Sequence, residues 1–110
     1  MAGADKLSER QVQLIQSAAG ILMEHLYMSK EEAVAVIAES LREELKAGGL
    51  TFEFLEVNSL SYRQTFIRNL VYRVEKKLEN IKTLRKEKIK SAVNIFLQML
   101  HYSWMNEEKT

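Results

Sequence analysis

The residues of this 110-residue chain whose types and spacing could do chemistry are two histidines, its carboxylates and its lysines and arginines, and it contains no cysteine. That absence removes a thiol nucleophile, thiolate zinc sites, iron–sulfur clusters and disulfides. His25 stands beside Leu26 in a helical stretch. No second histidine lies four residues away, the spacing that would put two imidazoles on one helix face for a metal. His101, between Leu100 and Tyr102 near the end of the last helical stretch, sits where the helix dipole favours an imidazolium, so a capping role is expected. Glu39, Glu43, Glu44, Glu53 and Glu56 could pair for acid–base work or hold a metal, but the Glu-x-x-His pattern of di-iron bundles is missing. They read as solvated faces, with Glu39 and Glu43 mildly repelling as i,i+4 neighbours. Gly48 and Gly49 stand alone, without the further glycines of a phosphate-binding loop, and there is no Gly-x-Ser-x-Gly elbow. The expectation is therefore a non-enzyme, with no catalytic residue, no cofactor and no metal ligand.

The distribution of charge is more informative. Residues 1–57 carry 5 Lys/Arg against 10 Asp/Glu, whereas residues 63–90 carry 10 against 3, and the remainder brings the total to only +1. A nearly neutral sum thus hides a dipolar chain. Arg63, Arg68, Arg73, Lys76, Lys77, Lys82, Arg85 and Lys86, followed by Lys88 and Lys90, make up the basic block. Two readings stay open. The side chains could be solvated or face the acidic second helix inside the fold, where exposed pairs are worth well under about 1 kcal/mol each. Alternatively they form one positive surface near residues 80–85 and contact an anion or a nucleic acid, with a salt-dependent affinity. Tyr62, Phe66 and Tyr72 lie on or beside the apolar stripe and read as core rather than as stacking platforms, and a pI near 8.0 falls short of strongly basic nucleic-acid binders.

The elements that must carry these residues are helices. There is no proline, there are four glycines, and the rest is rich in good helix formers. Ser8 and Gln11 have the spacing of a capping box, and behind them Val12, Ile15, Ala19, Leu22 and Leu26 recur every three or four residues. Leu14, Ala18, Ile21 and Met23 widen this stripe beyond what one partner helix covers. Ser29 and Glu32 repeat the box and open a second helix with Val34, Ile37, Leu41 and Leu45 as its apolar face, closed at Gly48 and Gly49. Ser61 and Gln64 mark a third start, before Tyr62, Phe66, Leu70, Val74, Leu78 and Ile81. Ile89, Val93, Phe96, Leu100 and Trp104 form a last stripe out of phase with the third. A turn at residues 80–85 is preferred over one long helix with a stutter, since Asn80 and Thr83 form helix poorly.

Between the second and third helices, Phe52, Phe54 and Glu56 alternate with Thr51, Glu53 and Leu55, a β-like pattern expected to be extended or irregular over residues 50–57. The expectation is one all-α domain over residues 1–110, a small bundle of about four helices, with residues 1–6 and 106–110 frayed. Four amphipathic segments compete for cover in a chain of this size, so a homodimer or a complex with another protein is a natural outlet. Phe52, Phe54, Leu97, Leu100, Tyr102, Trp104 and Met105 are the candidate interface, since aromatic residues near a terminus gain most at a contact. No apolar run approaches the roughly 20 residues that cross a bilayer, and no secretory signal is legible at the start, which points to a cytoplasmic location.

One local stretch resembles a known family. Ala19-Gly20-Ile21-Leu22-Met23 followed by Ser29-Lys30-Glu31-Glu32-Ala33 is similar to the first two helices of the ANTAR family, which would imply a small helical domain that binds RNA hairpins. Gly48, Gly49 and the residues up to Val57 occupy the place of that family's third helix, so no binding residue carries over. Two functions remain as expectations: a non-catalytic protein-interaction or regulatory module, or a nucleic-acid binder using residues 63–90.

Overall fold

A computed structural model describes residues 9–48 and 60–105, with backbone alone at 60–62 and 103–105. The expected segment at 50–57, with Phe52 and Phe54, and both expected frayed ends lie outside the described residues. Four helices and no strand are found among those described: α1 (Glu9–Leu26), α2 (Lys30–Gly48), α3 (Leu60–Glu79) and α4 (Lys86–Met105). The fold is the expected small all-α bundle.

Each helix packs on two others and the set closes on itself: α1 against α2 and α4, and α3 against α2 and α4. That arrangement explains the wide stripe of α1, which buries Leu14, Ile15, Ala18, Ala19, Leu22 and Leu26 between two neighbours. α3 contributes Phe66, Ile67, Leu70, Val71, Val74 and Leu78 to the same core, and α4 contributes Ile89, Ala92, Val93, Phe96 and Leu100. Phe66, Phe96, Leu22, Ile37 and Leu70 are among the largest side chains wholly withdrawn from water, and each such burial is worth about 1.5–3 kcal/mol.

The connections follow local chemistry. α1 ends at Tyr27, whose backbone is left-handed with φ 57° and whose N–H donates to the Met23 carbonyl at 3.0 Å, the single-bond form of a left-handed helix cap. Ser29 then caps α2 as its spacing predicts. The Glu32 N–H donates to Ser29 Oγ at 3.1 Å, and the Ser29 N–H donates to Glu32 Oε1 at 3.4 Å. Met28 and Ala33, the two staple positions around that box, are both buried. The predicted break between α3 and α4 is also present, held by N–H donations from Asn80 to Lys77, Ile81 to Leu78 and Leu84 to Ile81.

Two expectations need correction. α3 is already helical at Leu60, so Ser61 lies inside the helix rather than capping it. The buried face of α2 is Ala33, Ile37, Ser40, Leu41 and Glu44, with Val34 and Leu45 only partly covered. The apolar stripe places the face correctly to within a fraction of a turn but passes over the two polar residues on it.

Candidate functional site

The basic block divides into four environments. Arg63 is only 5% exposed and so lies within the fold, not on an open cationic surface; as a phosphate contact it is withdrawn. Arg73 and Lys77 face α2, as the internal-pairing reading anticipates. Arg73 Nε donates to Glu44 Oε1 at 2.6 Å, and Asn69 Nδ2 donates to the other Glu44 oxygen at 3.0 Å. Lys77 Nζ lies 2.9 and 3.2 Å from the two Glu43 oxygens, and Arg73 also reaches Glu43 at 3.5 Å. The hydrogen bond from Lys77, with the charges of Lys77 and Arg73, holds the exposed Glu43 carboxyl below its ordinary value against a desolvation that acts the other way. The hydrogen bond to Glu44, with the charge of both glutamates, raises the Arg73 guanidinium above its usual range. Glu44 is buried, so the expectation that it belongs to a solvated face is overturned; two donors make its burial tolerable.

Lys76 forms a smaller cluster of its own. Its ammonium lies 5.6 Å from the Tyr72 ring centroid and 3.8 Å from Glu79. Tyr72 is 59% exposed and is therefore not the core residue its neighbourhood suggested, whereas Phe66 is buried as expected.

The last group is different. Lys82, Arg85, Lys86, Lys88 and Lys90 are all exposed. Among the described residues none of them makes an ion pair, and the acidic neighbours on this stretch are Glu79 and Glu87. Arg68 is exposed farther up α3. At the turn the fold adds partners from outside the block. His25, Leu26 and Tyr27 from the end of α1 meet Thr83, Leu84, Arg85 and Lys88 around a cleft of about 230 Å³. The first turn of α4 begins there, and the partial positive charge of its free N–H groups adds to that of Arg85 and Lys88. Tyr27, 85% exposed, is the aromatic residue that sequence reasoning missed in this region: it is remote in sequence from the basic block and comes beside it only through packing.

A second cleft of about 430 Å³ is lined by Glu44, Ala47, Gly48, Asn69, Tyr72 and Arg73. Its charged groups already satisfy one another, so it reads as a structural ion-pair cluster. No group of three or more metal-ligating side chains is found among the described residues, and no described helix is long and apolar enough to cross a membrane.

The candidate interface is dispersed. Leu100 is wholly buried in the core and cannot serve a second surface, because its place on the α4 stripe is taken up by the other helices. Leu97 is partly buried against the core, while Tyr102 is 74% exposed. The Trp104 and Met105 side chains, with Phe52 and Phe54, lie outside what is described. In comparisons with known proteins, no family model, no curated protein and no solved structure matches the chain.

Proposed function

We propose that this chain is a non-catalytic binding module whose ligand is nucleic acid, held by its phosphate backbone at the end of the bundle where α3 turns into α4. One contrast carries the reading. The upper part of the basic block is matched by Glu43 and Glu44 on α2, whereas Lys82, Arg85, Lys86, Lys88 and Lys90 are exposed and have no such counterpart among the described residues. Like charges crowded on the turn at 80–85 and on the start of α4 repel one another, and a polyanion relieves that repulsion while releasing its own counterions. Such contacts position a backbone without reading bases, so little sequence preference is expected from them. A cytoplasmic location fits this role.

Self-association is the second reading, favoured by one observation: Tyr102, on the later part of α4, is 74% exposed. It predicts a homodimer by sedimentation that Tyr102→Ala weakens.

Fluorescence anisotropy with labelled single-stranded and duplex oligonucleotides tests the first reading. If about four phosphates are neutralised, single-strand affinity falls roughly 50-fold as monovalent salt rises from about 50 to about 200 mM. Lys82→Glu/Arg85→Glu/Lys86→Glu abolishes that binding with the helical circular dichroism unchanged. Absence of binding at low salt, or binding indifferent to both salt and charge reversal, contradicts it.

A further inference from the structure

The cleft beside Tyr27 supports a more specific statement, which rests on the nucleic-acid reading. We propose that it holds one unstacked base against the Tyr27 ring, so that the protein prefers single strands to duplex. Tyr27 ends α1 in the left-handed region, φ 57°, where glycine or asparagine is normally chosen because a side chain there is strained. With 85% of its surface exposed, it does not recover that cost by burial. The cap to Met23 accounts for the backbone conformation but glycine or asparagine would make it as well, so neither the backbone nor the core calls for tyrosine here, and an exposed aromatic held left-handed at a cleft is the kind of feature that binding explains.

The surroundings supply the rest. The Tyr27 N–H bond to Met23 at 3.0 Å fixes the backbone from which the ring projects. Leu26 and Leu84 give the cleft an apolar component, His25 and Thr83 offer groups that can hydrogen-bond a base edge, and Arg85 and Lys88 stand at the same cleft for the adjoining phosphates. At about 230 Å³ it lies below the roughly 300 Å³ at which clefts begin to accept drug-sized ligands, a scale suited to a single planar base. Aromatic stacking of this kind tolerates any base and requires that it be out of a helix, since bases inside a duplex have both faces stacked on their neighbours.

Anisotropy with a labelled oligothymidylate and a labelled duplex of equal length, at one low salt concentration, tests the proposal on the intact chain. Tyr27→Asn keeps a residue that accepts the left-handed conformation while removing the ring, and Tyr27→Phe keeps the ring. The expected result is a roughly tenfold loss of single-strand affinity in Tyr27→Asn, with duplex affinity within about twofold and Tyr27→Phe close to the parent. Equal losses on both ligands, or none on the single strand, overturn the stacking site and leave the backbone contacts standing. Failure of the parent protein to bind either ligand overturns both readings.

Discussion

At the scale of single residues, polar groups in buried places decide most. Ser40 is wholly buried, and its Oγ has no hydrogen-bond partner. Removing such a hydroxyl relieves an unmet desolvation cost, so Ser40→Ala is expected to raise stability by about 1 kcal/mol, seen as a higher urea midpoint at unchanged slope. A lower midpoint would mean that the hydroxyl is bonded after all. Glu43 gives a pH signature. Its folded-state carboxyl titrates below its ordinary value of 4.5, so the native state binds fewer protons than the unfolded one. The resulting stabilisation is present above that ordinary value and is lost as pH falls through the folded one. Glu43→Gln should therefore flatten part of the acid limb of stability against pH, and an unchanged limb would count against the pairing with Lys77. Sequence alone does not disclose Ser40 or Glu44, because a stripe is recognised by apolar types and both sit on it with polar ones.

At the scale of elements, the caps and breaks are the most legible part of the chain. The box at Ser29 and Glu32 is closed in both directions, and the break after Glu79 falls where two poor helix formers, Asn80 and Thr83, interrupt the period. Ser29→Ala should cost about 1 kcal/mol of stability, measured by chemical denaturation, because the Glu32 N–H loses its Oγ acceptor. No change would show that Met28 and Ala33 hold this helix start by packing alone. The start of α3 is less legible: a serine three residues before a glutamine occurs at Ser61 without being the cap, since the spacing is necessary for a box but does not compel the backbone to begin there. The left-handed stop at Tyr27 left no sequence signal at all, because the residue types that announce it are glycine and asparagine.

At the scale of the molecule, periodicity alone reveals a bundle, since four stripes of three-and-four spacing can be satisfied together only by packing on one another. It does not reveal which ends meet. The joining of His25 and Tyr27 to Arg85 and Lys88 depends on α1 packing against α4, a tertiary fact with no local trace. The division of the basic block into a part matched by α2 and a part left facing water depends equally on how α2 lies against α3. Arg63 shows the same limit from the other side, being a cation on a charged run that the fold nevertheless buries. In the proposed function, the unmatched end of the block is a nucleic-acid surface. Amide chemical-shift mapping of the isotopically labelled protein, titrated with a short unlabelled single-stranded oligonucleotide at low salt, tests it most directly. Perturbations concentrated at Tyr27 and at Thr83 to Ile89, and reversed by added salt, are predicted. Shifts centred on the acidic face of α2 or on the end of α4 near Tyr102, or no shifts at all, would contradict it.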